Sequence, residues 1–265
     1  MKIPIYRSIK AIQKQYNTGE QPVLVMCSDL HEYVCKYKRS SGSAYKLVCE
    51  LTGAFLANAW NLNIPKIALI EIHYDHWMST RSISLSAPAF GSKIINSVID
   101  VNTAFNKEIR ISSELKEQIL EIALFDLWVA NEDRNWNNAN LLYDMLTDSL
   151  VVIDHGCIFN TATFDYKLSL LTQNETILCS DLARTILKHI KPDEKDNILE
   201  KIKERFVSIQ EKELKLIPEI MENIPSNWNV NPEVVSSKIT ELFDRKWMEE
   251  CWDTFVEYFN ENWNG

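Results

Sequence analysis

The stretch that most restricts what this chain can fold into runs from Ser113 to Phe159. It opens with a long apolar segment, Ser113 to Ala130, in which Leu115, Ile119, Ile122, Ala123 and Phe125 recur at helical spacing and Ser113 is the expected N-cap. A polar loop, Asn131 to Asn140, comes next. Two short apolar segments follow, Leu141 to Tyr143 and Leu150 to Ile153, around a turn with Thr147 and Asp148. The second ends in Asp154-His155-Gly156. A helix, an acid-bearing loop, a small hairpin and a second acid therefore follow one another, and the hairpin can fold the two acids back towards each other.

That order suits phosphoryl transfer. Asp133 is followed five residues later by Asn138, in NEDRNWNNANLLYD. The chemistry needs an acid to orient or deprotonate an acceptor hydroxyl, and oxygen ligands for a Mg²⁺ ion that neutralises phosphate charge. A carboxylate, an amide and a second carboxylate supply these groups. Any one element alone is weak: an Asn- and Asp-rich loop makes turns without function, and IDHG can be a strand ending in an Asp cap.

Upstream, Gln21 to Ser28 and Glu32 to Lys38 are rich in β-branched and aromatic residues and predict a hairpin around Ser28 to His31. SSGS at 40–43 is a polar loop, Ala44 to Trp60 a helix closed by Asn61 to Pro65, and Lys66 to Ile72 a third strand. Alternation puts Val34, Lys36 and Lys38 on one strand face. A lysine among apolar neighbours needs an anionic partner, and Glu50 in the following helix is the natural one. Lys38 is the alternative lysine, and either Lys36 or Glu50 could instead face solvent. From His73 to Arg110 the pattern is irregular, with FGSK at 90–93 as a turn. The rest is helical, roughly Ser180 to Ile190, Asp193 to Glu222 and Asn231 to Asn262, broken by Pro192, Pro218, Pro225 and Pro232. The tail aromatics Trp228, Phe243, Trp247, Trp252, Phe255, Tyr258, Phe259 and Trp263 predict helix packing.

The Asp133-Arg134 pair, NNANLL and a strand ending in IDHG resemble the HipA-like kinases over roughly Gln21 to Phe159. The resemblance implies an α+β, bilobal protein-kinase-like fold: a small β-rich N-lobe over residues 1–75 and a larger helical C-lobe over 76–265. It implies ATP and Mg²⁺ as cofactors, Asp133 as the catalytic residue, and Asn138 and Asp154 as metal ligands, with Asn140 as second choice for Asn138. Lys36, held by Glu50, would bind the phosphates, and Arg134 would tie the loop down. No GxGxxG covers the phosphates, so Gly42 or Gly19 is the candidate loop glycine. The implied acceptor is a Ser/Thr hydroxyl on a protein substrate, with autophosphorylation among Ser40, Ser41 and Ser43. The alternatives are a pseudokinase or binding scaffold, a lipid or small-molecule kinase, and a nucleotidyl or glutamyl transferase on the same fold. With about twenty residues before the first expected strand, the chain resembles a short form without the extra N-terminal domain that contacts a DNA-binding antitoxin.

Composition narrows the rest. A net charge of −9 argues against a general nucleic-acid-binding face, although Lys36, Lys38, Arg39 and Lys46 are close in sequence. No apolar run approaches the ~18 residues of a membrane span. The six cysteines form no CxxC pair and predict reduced thiols in a cytoplasmic protein. The five histidines lack zinc spacing, and Ser28, Ser41 and Ser86 lack a GxSxG setting. Oligomeric state has no sequence signal.

Overall fold

Val23, Val25, Tyr33 and Cys35 are buried at every second position of their strands, so both strands turn one face inward. The computed structural model describes residues 2–40, 44–77, 83–105 and 111–263. Among these, six strands make the first sheet: β1 (Ile5–Arg7), β2 (Lys14–Gln15), β3 (Val23–Met26), β4 (Glu32–Lys36), β5 (Ile67–Glu71) and β6 (Ala89–Lys93). Their order is β1-β5-β6-β4-β3-β2. Neighbours are antiparallel except β1 and β5, which run parallel.

The expected β3–β4 hairpin and the strand β5 are present. Two strands lie in the segment expected to precede the first strand; at two and three residues they are too short to carry a period-two signal. The expected turn at Phe90 to Lys93 is instead inside β6, between β4 and β5. Gly91 serves close packing there: a Cβ on it would lie 2.6 Å from Cγ1 of Ile70. Because β6 follows residue 75, the sheet is whole only if the first part of the chain extends to Lys93.

One face of the sheet buries Val23, Val25, Cys27, Tyr33, Cys35, Ala68 and Ile70 with Ile12 in a small core. The other sends Leu69 and Phe90 into the main core, alongside helix α1 (Tyr45–Ala59). Lys36, one residue beyond Cys35, is therefore on the side facing α1.

Beyond the sheet come β7 (Val98–Asp100) and α2 (Val101–Phe105), then α3 (Ser113–Trp128). The cap of α3 is Ser112, one residue earlier than expected, its Oγ accepting from the Leu115 N–H at 3.1 Å. The hairpin β8 (Leu141–Asp144) and β9 (Ser149–Val152) forms as predicted, and β7 adds a third strand to it. Next, α4 (Ile158–Ala162) is a left-handed turn, with φ between 50° and 60° from Phe159 to Ala162. Five further helices follow: α5 (Asp181–Leu187), α6 (Pro192–Gln210), α7 (Glu213–Asn223), α8 (Pro232–Glu241) and α9 (Arg245–Asn262). Pro192 and Pro232 open α6 and α8, where a missing N–H costs nothing. Pro218, expected as a break, lies within α7 instead.

The helix α3 is buried almost all round, as the central helix of a core must be. Trp128 at its end is gripped twice: its Nε1 donates to Leu242 O at 2.6 Å, and Trp247 Nε1 donates to Trp128 O at 2.9 Å. The tail aromatics Trp228, Phe243, Trp247, Phe255 and Phe259 are buried, so they pack helices as predicted. The chain is thus α+β, a β-rich first part followed by a helical second part. Among the described residues no helix is long and apolar enough to cross a membrane.

Candidate active site

Strand β4 delivers Lys36 to the seam between sheet and α1. Its Nζ donates to Glu50 Oε1 at 2.5 Å and to Asp154 Oδ1 at 2.7 Å. Glu50 comes from the second turn of α1 and Asp154 from just after β9. Lys38, the alternative, turns away to Asn227 O at 3.5 Å, and Arg39 reaches Gln21. The four basic residues close in sequence therefore do not form one patch.

Two glycines let the parts meet. A Cβ on Gly156 would fall 2.9 Å from Glu50 Oε1 and 3.6 Å from Lys36 Nζ. A Cβ on Gly53 would fall 2.4 Å from the Cβ of His155. Between them, the His155 N–H donates to Glu50 Oε2 at 3.1 Å, which fixes the segment to α1. Asp154 itself is left-handed, with φ 59°, an uncommon state for a non-glycine residue that Asp tolerates better than most.

Burial raises the Glu50 carboxyl above its ordinary range, with Lys36 opposing and Asp154 adding. Asp154 is also raised by burial, but the Lys36 charge and hydrogen bond outweigh this and hold it below the usual carboxylate range. Lys36 is pulled down by burial, yet Glu50, Asp154 and Glu20 together leave it above its ordinary value. The ammonium is thus charged across the physiological range. His155 is buried, and burial first, then the charges of Arg134 and Lys36, lower it to about 3. It is a neutral packing residue against Phe125, ring centroids 6.1 Å apart.

The polar loop is organised separately. Asp133 accepts from Asn138 Nδ2 at 3.2 Å on one oxygen and from Asn140 Nδ2 at 3.0 Å on the other. Arg134 is fully buried. It pairs with Asp126 of α3 and donates through its second terminal nitrogen to Ile153 O at 2.7 Å. Asn131 Nδ2 also donates to Asp126, at 2.9 Å. Ile153 N donates to Asn140 O at 3.2 Å. Arg134 and Asn140 therefore tie the Asp133 loop to the residue before Asp154. Burial pushes Asp126 up to about 6, against the pull of Arg134.

Gly42, with Ser41 and Ser43, lies outside the described residues. Glu20, in the loop next to the other candidate glycine, was not anticipated: it contacts Lys36 at 3.1 Å and Lys46 at 3.0 Å. Asp126 was also not anticipated as Arg134's partner. Its signal is a single acid in the otherwise apolar IALFDLWVA at 122–130. Among the described residues no group of three or more His, Cys, Asp or Glu forms a metal cluster. A Mg²⁺ ion carried with a nucleotide does not require one, since phosphates and waters supply most of its ligands. Asp154 and Asn138 offer the hard oxygen donors such an ion takes.

Comparisons with known proteins agree with this architecture. The structure is similar to a Helicobacter pylori proinflammatory kinase, CtkA, with a TM-score of 0.58 and 13% identity, over 96% of this chain and 99% of that one. A Golgi casein kinase structure with Mn/ADP bound is less similar, with a TM-score of 0.48 and 9% identity over 98% of this chain and 74% of that one. No curated protein sequence matches. The sequence itself matches the model of the HipA-like kinases across residues 9–255, and the chain belongs to that family.

Proposed function

We propose that this kinase transfers the γ-phosphoryl group of ATP, with Mg²⁺, to a serine or threonine hydroxyl of a protein. The observation that carries the reading is the convergence on Lys36: a strand lysine bonded at once to Glu50 of the next helix and to Asp154 beyond the hairpin. A largely covered cation with two carboxylates from distant parts of the chain is costly to assemble, and phosphate binding gives it a use.

In this reading Lys36 holds the α- and β-phosphates and Glu50 keeps its ammonium in place. Asp154 and Asn138 are the residues that would hold Mg²⁺, which supplies neutralising charge to the phosphates when bound. Asp133 aligns the acceptor hydroxyl and takes up its proton as the hydroxyl oxygen attacks the γ-phosphorus. The bond from that phosphorus to the β-γ bridging oxygen breaks, and ADP leaves. The two amides on Asp133 keep its carboxylate facing one way while the acceptor arrives. Arg134 transmits no charge to the reaction; it sets the spacing between Asp133 and Asp154. The free cysteines, five buried and Cys157 half-buried, suit a reducing cytoplasmic setting.

The test is transfer of label from γ-labelled ATP by the purified chain, to itself and to generic protein acceptors, with Asp133→Ala and Asp154→Ala beside it. Transfer lost in both variants, with phosphoserine or phosphothreonine in the product, is expected. A chain that neither binds Mg-ATP nor transfers label would overturn the proposal.

A further inference from the structure

The loop between β2 and β3 ends in a contact that the roles above do not explain. Glu20 places Oε2 3.1 Å from Lys36 Nζ and Oε1 3.0 Å from Lys46 Nζ. Lys36 already has Glu50 and Asp154, so Glu20 is not needed to neutralise it. Partial burial pulls Lys46, in the first turn of α1, down, but the hydrogen bond and charge of Glu20 outweigh it and leave the group above its ordinary value. Two oxygens of one anion thus bridge two ammonium groups, one on the strand and one on the helix, at the edge of the same cluster as Asp154. That is the arrangement a phosphate group would make with the two lysines.

The loop tip is lightly packed at Gly19. The loop is closed by backbone bonds from Tyr16 N to Pro22 O and from Gln21 N to Thr18 O, and Arg39 also donates to Gln21 Oε1 at 3.2 Å. At Gly19 a Cβ would meet nothing within 4 Å, so the tip is not packed against the body there. The Glu20 and Lys46 side chains are 28% and 49% exposed, whereas Lys36 is only 13% exposed beneath them.

We propose that Lys46 is a second phosphate-binding cation of the nucleotide site, and that Glu20 is its occupant until a nucleoside triphosphate displaces it. The inference rests on the ATP-dependent reading above and adds two residues to it. Glu20 competes with the polyphosphate for both lysines, and so sets how tightly the site holds nucleotide. The base and ribose are outside this competition.

Calorimetric titration of the full chain tests it, using a non-hydrolysable ATP analogue with Mg²⁺ and, separately, adenosine. Glu20→Gln should bind the triphosphate about fivefold tighter, the effect of removing one bridging charge at a half-exposed site. Lys46→Met should bind it about tenfold more weakly and leave adenosine unchanged, and Lys46→Arg should restore most of the loss. If wild type binds the analogue but Glu20→Gln binds no tighter, or Lys46→Met loses adenosine and triphosphate alike, the proposal is overturned while the kinase reading stands. If wild type binds neither the analogue nor Mg-ATP, both fall.

Discussion

Replacing Gly53 by alanine gives opposite signs under two accounts of that residue. In a helix of no further consequence, Gly→Ala stabilises by up to about 1 kcal/mol, because alanine loses less backbone entropy. Here the new methyl would sit 2.4 Å from the Cβ and 2.7 Å from the Cγ of His155. Carbon atoms need ~3.5–4.0 Å, so α1 and the 154–156 segment must part by about 1 Å. Both sides are buried, and overpacking of that kind costs about 1–3 kcal/mol. The net expectation is a loss of about 1–2 kcal/mol, or roughly 2–4 °C in Tm for a chain of this size. The same displacement stretches the His155 N–H bond to Glu50 and shifts Asp154, its neighbour in sequence, relative to Lys36. A misplacement of about 1 Å is enough to lower turnover on the order of a hundredfold. Urea and thermal unfolding measure the first effect and transfer from γ-labelled ATP the second. Repeating the substitution in a His155→Gly background removes the clash, because the nearest atom is the His155 Cβ, and there Gly53→Ala should be neutral or stabilising relative to that background. If Gly53→Ala raises the stability of the parent protein, the packing argument for the α1–His155 contact is wrong.

Two further outcomes follow from buried groups. Arg134→Met strands the Asp126 carboxylate in the core and should cost roughly 3–5 kcal/mol by urea unfolding, with part recovered in the double variant Asp126→Leu/Arg134→Met; equal stability of the single variant and wild type would show that the pair does not hold the loop. His155 is lowered by burial from 6.5 to about 3, so the unfolded chain takes up a proton that the folded one refuses. Its contribution to stability is intact above pH 6.5 and falls away as the pH drops towards 3, at ~1.4 kcal/mol per pH unit within that window. His155→Phe should flatten this part of an unfolding-versus-pH profile; an unchanged acid slope would remove His155 as its source.

Much of the site is legible in the chain because its signals are local. Asp133, Arg134, Asn138 and Asn140 fall within eight residues, and Asp133 takes both amides within that one loop. Glu50 and Lys36 are also readable, since a lysine in an apolar strand and an acid in an apolar helix each need a partner. The strands β3, β4, β5, β8 and β9 follow from alternation and turn residues, and the tail aromatics pack as their spacing requires. What escapes the pattern is short or doubly determined. β1 and β2 have too few residues for a period. FGSK carries a glycine and a serine that normally mark a turn, and here the glycine leaves room for Ile70 inside β6.

The amino-acid order by itself determined the family, the α+β class and the residues offered for chemistry, because periodicity and motif spacing act over a few turns of chain. Only the folded structure decided that Lys36 rather than Lys38 meets Glu50, that Asp126 receives Arg134, and that Glu20 bridges Lys36 and Lys46. Lys36 and Lys38 are equivalent by pattern, Glu20 lies on a different element from each lysine it meets, and Arg134 must turn back from the loop into the core to reach Asp126. These pairings depend on which strand face meets α1 and how closely Gly53 and Gly156 let the backbone approach, quantities that exist only once the whole chain has packed.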